Sequence, residues 1–199
     1  MNPSKLVVAV TGASGAIYAQ RFLMQAARQC ESVFLTLSDQ AIDVAATELG
    51  VTISRTEFDT VSWLGERFSN VHLLDARDFF TPPASGSFRH DGMVILPCSM
   101  GTAGRIANGI SNDLTTRAAD VCLKEGRKLV LVPREMPWNL IHMRNMTTLV
   151  EAGATVIPAC PAWYQRPKTL EDLADTVVAR VMQSLGMEQN LMPQWMAED

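Results

Sequence analysis

The stretch Lys5–Gly15, with the sequence KLVVAVTGASG, decides the fold of this chain. It opens with a β-branched apolar run that ends at Thr11, and a turn containing Gly12 and Gly15 follows at once. Residues 16–29 then repeat apolar side chains at helical spacing. A strand, a glycine turn and a helix in this order predict the first unit of a parallel α/β sheet.

The same alternation of strand and helix continues through the rest of the chain. Strands are predicted at Ser32–Leu37, Val71–Leu74, Met93–Pro97, Lys128–Pro133 and Ala154–Pro158. Helices are predicted at Asp39–Leu49, Glu57–Phe68, Asn112–Glu125, Asn139–Ala152 and Thr169–Leu185, with one more opening at Cys98–Thr102. Asp39 is expected to cap its helix and Gly50 to end it. The strands are continuous apolar runs, which is typical of parallel strands buried on both faces.

Length and composition restrict the class of protein. The 199 residues suffice for one domain over 1–199, and the net charge of −4 argues against a nucleic-acid partner. No apolar run approaches the about 18 residues that span a bilayer, so no membrane partner is expected. The four cysteines form no Cys-x-x-Cys pair, which predicts neither a metal site nor disulfides and favours a cytoplasmic protein.

The composition also favours an oligomer. The chain has 11 methionines and only 19% charged residues, which leaves apolar surface to spare. Residues 186–199 form a Met-rich tail that is expected to make subunit contacts. Its apolar members are Met187, Leu191, Met192, Trp195 and Met196.

Small and hydroxylated residues follow three of the predicted strands. They are Thr11–Gly15, Ser38 and Ser99–Thr102. Because ligands bind beyond the carboxyl ends of parallel strands, and because glycines, hydroxyls and helix N-termini suit phosphate, this pattern favours a phosphate site. The alternative for the glycine pair is a tight turn without a ligand. Ser38 stands where a dinucleotide site needs an acidic residue, which favours a mononucleotide such as FMN.

Several cations are candidates for a second site. Arg117 and Lys124 lie seven residues apart on one helix face, although a solvated face with an Asp120–Lys124 pair would give the same spacing. Arg134 and Glu135 end a buried strand, where a charged pair favours a site over a structural ion pair. His72, His90 and His142 show no spacing typical of a metal site or a catalytic triad.

Residues near the end of the chain have structural alternatives. Arg180 interrupts an apolar helix, where it could extend its charge to solvent without binding a ligand. Trp163, Tyr164 and Trp195 are amphipathic aromatics, and packing in the core or between subunits is the alternative role for them.

Short segments spread over essentially the whole chain match one known family. They are Thr11–Ala16, Ala46–Glu48, Pro82–Ser87, Pro97–Ser99, Arg117–Asp120, Leu123–Glu125, Leu129–Glu135, Tyr164–Pro167 and Pro193–Trp195. On these segments the chain resembles the flavin prenyltransferases (UbiX-like), formerly described as aromatic acid decarboxylases. The Pro-Arg-Glu and Tyr-x-x-Pro segments are specific at this separation, whereas the glycine turn is not.

The resemblance implies that the chain folds as a Rossmann-like (flavodoxin-like) three-layer sandwich around a parallel sheet. The same resemblance implies a homo-oligomeric flavoprotein with twelve subunits. It also implies a reaction in which dimethylallyl monophosphate and reduced FMN give prenylated FMN, carbon bonds forming at N5 and C6. A UbiD-type decarboxylase would receive the product.

Roles for individual residues follow from the same resemblance. The implied FMN-binding residues are Gly12, Ala13, Ser14, Ser38, Ser99, Met100, Gly101, Thr102 and Arg134. Those implied for the phosphate of the prenyl donor are Arg117, Lys124, Tyr164 and Arg180. Ser14, Glu48 and Glu135 would manage proton transfers, and Lys124 would also act in catalysis.

The implied chemistry agrees with the residue types. Monophosphate is a poor leaving group, so its departure needs cations at the phosphate and π-faces, such as that of Trp195, beside the allylic carbons. The sequence has no Asp-Asp-x-x-Asp cluster for magnesium, which favours a metal-independent reaction. Glu135 is expected to be buried, to be kept ionised by Arg134, and to take the proton from flavin C6.

Three other functions are considered. Residues 104–110 (GRIANGI) resemble a segment of flavin-dependent cysteine decarboxylases, but residues 133–137 (PREMP) lack the Pro-x-Met-Asn pattern of that class. The glycine turn and Tyr164-x-x-x-Lys168 resemble short-chain dehydrogenases, but Pro167 prevents one helix from carrying both side chains. A non-catalytic FMN-binding protein would share the flavin site and lack the transfer.

Overall fold

The computed structural model describes residues 2–193. The strands are β1 Lys5–Val10, β2 Ser32–Leu37, β3 Val71–Leu74, β4 Gly92–Cys98, β5 Leu129–Pro133 and β6 Thr155–Val156. The helices are α1 Ala16–Gln29, α2 Asp39–Leu49, α3 Val61–Leu64, α4 Met100–Ala107, α5 Leu114–Lys124, α6 Leu140–Glu151 and α7 Leu170–Leu185. A short 3-10 turn, Pro82–Ala84, lies between β3 and β4.

The six strands form one parallel sheet in the order β3-β2-β1-β4-β5-β6. This arrangement confirms the predicted α/β fold, and the order is that of the Rossmann fold. The central strand β1 pairs with β2 on one side, where Val7 faces Phe34, and with β4 on the other, where it faces Met93. The strand order therefore reverses between β1 and β4, which opens a crevice beyond their carboxyl ends.

Alternating side chains of the sheet feed two separate cores. In β1, Leu6, Val8 and Val10 belong to the core under α1, α2 and α7, whereas Val7 and Ala9 belong to the core under α4, α5 and α6. The residues of β4 and β5 are all buried. This burial on both faces explains why the strands read as continuous apolar runs. Because α7 packs in the first core and α5 in the second, these two helices lie on opposite faces of the sheet.

The start of α2 differs from its prediction. Ser38, not Asp39, is the N-cap, and its hydroxyl accepts a hydrogen bond from the N–H of Ala41 at 3.0 Å. Ser38 has the extended backbone that an N-cap needs, while Asp39 is already helical and adds an acidic side chain to the first turn. Gly50, at φ 66°, ends the helix as predicted.

The predicted helix over 57–68 is wrong, because only Val61–Leu64 is helical. The Thr60 hydroxyl donates to the carbonyl of Glu66 and accepts from the N–H of Phe68. This side chain offers the backbone an alternative to helical bonds. Gly65, at φ 73°, then ends the turn with a left-handed conformation.

The structure describes the last helix and the first residues of the tail, up to residue 193. α7 begins at its predicted cap, Thr169, and ends before Gly186. Met187 is 4% exposed and packs in this chain's own core, so the expectation that it contacts another subunit is wrong. Trp195 and Met196 lie outside the described residues. Among the helices of residues 2–193, none has the length and apolar character needed to cross a bilayer.

Candidate functional site

Thr11 joins the ends of the two central strands. Its hydroxyl donates to the carbonyl of Pro97 at 2.9 Å and accepts from the N–H of Ser99 at 2.8 Å. Its own N–H donates to the same carbonyl of Pro97. These bonds hold the turn after β1 beside the N-terminus of α4, at the point where the strand order reverses.

Gly12 and Gly15 have steric reasons to be glycine. A Cβ on Gly12 would overlap the side chain of Gln40 in α2, which shows how closely the turn approaches that helix. Gly15 has φ 111°, in the region that favours glycine, and is the N-cap residue of α1. The two glycines therefore fit the turn between β1 and α1, and Gly12 also lines a cavity.

That cavity has a volume of about 240 Å³ and lies beyond the ends of β1, β2 and β4. Its lining includes Gly12, Ser38, Ser99, Thr102, Arg105 and Thr115. Hydroxyl groups and a guanidinium around a glycine are the donors that a phosphate requires. The structure thus brings together three of the strand ends that the sequence singled out. An open groove of about 460 Å³, which shares Ser38 and Asp113 with the cavity, adjoins it.

Sequence reasoning missed Arg105 and Thr115 in this lining. Arg105 follows Thr102 by three residues, so both side chains lie on one face of α4. That spacing was the available signal. Thr115 is 4% exposed and comes from the first turn of α5, a position that only the tertiary fold brings to the cavity.

Glu48 closes the N-terminus of α1. Its Oε2 accepts hydrogen bonds from the N–H of Gly15 at 2.9 Å and of Ala16 at 2.8 Å. Partial burial pushes the pKa of Glu48 upward, but the hydroxyl of Ser14, these two N–H groups and the charge of Arg134 outweigh it and lower the pKa. The expectation that this helix end offers free N–H groups to a phosphate is therefore wrong for Gly15 and Ala16.

Arg134 reaches across the sheet edge to the same turn. Its Nε donates to the carbonyl of Ser14 at 3.1 Å, and its own N–H donates to the carbonyl of Cys98. The end of β5 is thereby joined to the ends of β4 and β1. Ser14, Glu48 and Arg134, which are far apart in sequence, form one polar cluster at the crevice.

Tyr18 and Cys160 border this polar cluster and were not singled out by sequence. Burial raises the pKa of the Tyr18 phenol, nearby Cys160 and Glu48 add to the rise, and Arg134 opposes it. Tyr18 lies four residues after Ser14, so it stands one helical turn beyond the glycine turn. Cys160 is exposed and follows the short edge strand β6.

Glu135 does not have the surroundings expected from the sequence. It is exposed in the isolated chain, and its Oε1 accepts a hydrogen bond from the N–H of Met136 at 3.0 Å. Within residues 2–193 it forms no ion pair with Arg134. The expectation of a buried Arg134–Glu135 pair is wrong for the single chain, because the two side chains diverge at the strand end.

Arg117 and Lys124 face the loop that follows β3. Arg117 Nε donates to the carbonyl of Ala84 at 3.0 Å and pairs with Asp120, while Lys124 pairs with Glu125 at 2.7 Å. The alternative Asp120–Lys124 pair is not formed. Lys124 Nζ lies 2.9 Å from the position that a Cβ on Gly86 would take. Both cations therefore border the segment Pro82–Ser87.

Arg180 and Tyr164 lie elsewhere. Arg180 is exposed on α7, where it donates to Gln183 at 2.7 Å, and Tyr164 is exposed in the loop before that helix. Since α7 and α5 cover opposite faces of the sheet, one chain does not bring Arg180 to Arg117. Trp195, the remaining residue expected at the prenyl donor, lies outside the described residues.

Two further observations bear on the alternatives. Tyr164 and Lys168 lie in the loop before α7 and not on one helix, unlike the pair that a short-chain dehydrogenase needs. Within residues 2–193, no three histidine, cysteine or acidic side chains come together as metal ligands would.

Comparison with known proteins gives the following relatives. The Flavoprotein family model matches residues 1–182. The flavin prenyltransferase UbiX of Pseudomonas aeruginosa is 41% identical over 198 residues, covering 98% of this chain and 95% of the relative. The protein of the same name from Methanocaldococcus jannaschii is 40% identical over 191 residues, covering 96% of this chain and 98% of the relative.

Solved structures agree with these relatives. A dodecameric FMN-dependent UbiX-like decarboxylase from Escherichia coli O157:H7 superposes with a TM-score of 0.84 at 39% identity, covering 97% of this chain and 100% of that one. The structure of AnUbiX (PadA1) in complex with FMN and dimethylallyl pyrophosphate has a TM-score of 0.85 at 37% identity, covering 98% of each chain. The peptidyl-cysteine decarboxylase EpiD, at 18% identity and a TM-score of 0.58, shares the fold alone.

Proposed function

This chain belongs to the flavin prenyltransferase family, and on that premise we propose that it transfers the dimethylallyl group of dimethylallyl monophosphate to N5 and C6 of reduced FMN. The observation that carries the proposal is the crevice between β1 and β4, where a hydroxyl-lined cavity adjoins the Ser14–Glu48–Arg134 cluster. The relative bound to FMN and a dimethylallyl donor supports both ligands.

The residues at the crevice fit FMN. The cavity offers the hydroxyls of Ser38, Ser99 and Thr102 and the guanidinium of Arg105 to a phosphate, and Gly12 allows close approach of the backbone. The residues proposed to hold FMN are Gly12, Ala13, Ser14, Ser38, Ser99, Met100, Gly101, Thr102 and Arg134. When bound in its reduced form, FMN supplies the nucleophilic N5 and C6 positions.

The prenyl donor is proposed to bind between copies of the chain. Its phosphate needs several cations, and Arg117 and Lys124 lie on α5, on one sheet face, while Arg180 lies on α7, on the other, with Tyr164 in the loop before α7. Two such surfaces meet only when different copies contribute them. The dodecameric assembly of a relative supports this arrangement.

The surface beside Glu135 has the apolar character of a subunit contact. Met136 is 85% exposed, and Leu140 and Ile141 at the start of α6 are also exposed. A neighbouring copy that covered these side chains would exclude water from Glu135. This supports the proposal that Glu135 becomes enclosed on assembly and not within a single chain.

The chain's own groups divide the work in the proposed mechanism. Arg117, Lys124, Tyr164 and Arg180 bind the monophosphate and stabilise the negative charge it gains as it leaves with the electron pair of the carbon–oxygen bond. Ser14 hydrogen-bonds to Glu48, whose lowered pKa keeps it ionised and able to accept a proton passed on by Ser14. Glu135 takes the proton at flavin C6.

The proposal extends to a recipient and a compartment. A UbiD-type decarboxylase is proposed to take up the prenylated flavin, following the family resemblance. The cytoplasm is the proposed location. The four cysteines, Cys30, Cys98, Cys122 and Cys160, are free thiols, which are typical of a reducing compartment.

The test is anaerobic incubation of the FMN-loaded protein with dithionite and dimethylallyl monophosphate, followed by mass spectrometry of the extracted flavin. We expect a flavin heavier than FMN by one five-carbon unit, and none without reduction. Parallel reactions with dimethylallyl pyrophosphate compare the two leaving groups. If only unmodified FMN is recovered with both donors, the proposed transfer is contradicted and the non-catalytic FMN-binding function is favoured.

A further inference from the structure

The hydroxyl of Thr102 has an unusual set of partners. Ser99 Oγ donates to Thr102 Oγ1 at 3.0 Å, and Arg105 Nη2 donates to the same atom at 3.1 Å. The oxygen thus accepts two hydrogen bonds, and its own hydrogen is directed away from both donors. Thr102 is 2% exposed and lines the cavity of about 240 Å³. Its hydroxyl hydrogen therefore needs an acceptor that comes from inside the cavity.

Arg105 is held firmly enough to impose this orientation. Its Nη1 donates to Asn112 Oδ1 at 2.7 Å and to Asp113 Oδ2 at 2.5 Å, while Nη2 bonds Thr102. The other carboxylate oxygen of Asp113 accepts from the N–H and hydroxyl of Thr116, as the N-cap of α5. The guanidinium is therefore fixed between the first turns of two helices.

The charge balance of the cavity depends on the same residue. Among the described residues that line it, Arg105 carries the one positive charge and Asp113 the one negative charge. Burial pushes the pKa of Asp113 upward, but the bonds from Thr116 and Arg105 outweigh it and lower the pKa. Without Arg105 the lining would present an unpaired carboxylate to any anion that entered.

We propose that Arg105 is the specificity-determining and positioning residue for the phosphate end of the flavin. It fixes Thr102 as a hydrogen-bond donor toward the phosphate and cancels the charge of Asp113. Neutral hydroxyls alone would accept a phosphate or a ribityl hydroxyl, whereas a fixed guanidinium favours the dianion. The proposal rests on FMN as the ligand and not on the transfer reaction.

The test compares FMN with riboflavin, which lacks the phosphate, in the flavin-free full chain by fluorescence titration. In Arg105→Met we expect FMN to bind about ten- to a hundredfold more weakly and riboflavin to change by less than about twofold. Arg105→Lys keeps the charge without the fork and should fall between the parent and Arg105→Met. Arg67→Met is the matched control, because Arg67 pairs with Asp59 just before β3, at the amino ends of the strands, whereas the cavity lies beyond their carboxyl ends.

A second pair of variants tests positioning through Thr102. Thr102→Val should weaken FMN binding in the parent and weaken it much less in Arg105→Met, since the orienting partner is already gone. An unchanged FMN-to-riboflavin ratio in Arg105→Met, or additive effects of the two substitutions, would overturn the proposal. If Arg105→Met does not fold, a parent-like ratio in Arg105→Lys overturns it equally. If the parent chain prefers FMN to riboflavin as proposed but transfers no prenyl group, that result would count against the proposed function and not against the role of Arg105.

Discussion

The two halves of the proposed site differ in how they are built. The contacts that shape the flavin-phosphate half lie within one chain, since Thr11 ties β1 to β4, Arg134 bonds the glycine turn, and Glu48 holds the start of α1. The donor half is divided, because Arg117 on α5 and Arg180 on α7 lie on opposite faces of the sheet. On the proposed function, binding of the flavin phosphate depends on the fold of one chain, whereas the cation set for the prenyl donor depends on the assembly.

The largest expected effect concerns Glu135, at the boundary of the two halves. Glu135→Gln keeps the shape and removes the base, so prenylated flavin should form about a hundred- to ten-thousandfold more slowly. FMN binding should persist, because the phosphate cavity lies at other strand ends. Single-turnover assays with mass detection measure the rate, and Glu151→Gln, at the far end of α6, is the matched control. A parent-like rate would make Glu135 a structural residue.

The next effect separates the halves directly. Arg117→Met and Arg180→Met should each lower the transfer rate by about a hundred- to a thousandfold, the range for losing one group that stabilises developing charge. Neither should change FMN affinity, because both residues lie outside the flavin cavity. Flavin titration beside the transfer assay checks this. A large loss of FMN binding in either variant would mean that the two halves are not separate.

The smallest effect lies in the flavin half and is a pH dependence. The folded-state pKa of Glu48 is lowered, so its ionised form stabilises the fold at neutral pH, and this contribution disappears as the pH falls through that pKa. Since the side chain is largely exposed, Glu48→Gln should lower the free energy of unfolding by only about 0.5–1 kcal/mol at pH 7. Urea titrations at pH 7 and in acid should show the difference shrinking. A difference that does not change with pH would assign it to packing.

The parts of the fold that depend on local chemistry could be predicted from the sequence. The bounds of α1 and β2 agree residue by residue with their predictions, because apolar spacing defines both and Gly15 precedes α1. The helix predicted over 57–68 failed for a reason that spacing does not carry, namely the hydrogen bonds of the Thr60 side chain.

Within the site, only the residues that follow directly after strands could be predicted to lie close together. The sequence placed Ser38, Ser99 and Thr102 at one sheet edge because parallel strands require it. It could not show that Glu135 turns away from Arg134 or that Glu48 occupies the start of α1, because side-chain directions follow from tertiary packing. Arg105 was missed since its importance depends on Asp113, which a separate helix brings to it.

The most direct test of the divided site is a mixture of two inactive variants. Arg117→Met and Arg180→Met chains are unfolded together, refolded as mixed oligomers and assayed for prenyl transfer. If the two arginines of each site come from different copies, about one quarter of the sites in an equal mixture carry both, and activity should return to about that fraction of the parent. If mixed oligomers form and remain as inactive as the separate variants, both arginines act within one chain and the account is contradicted.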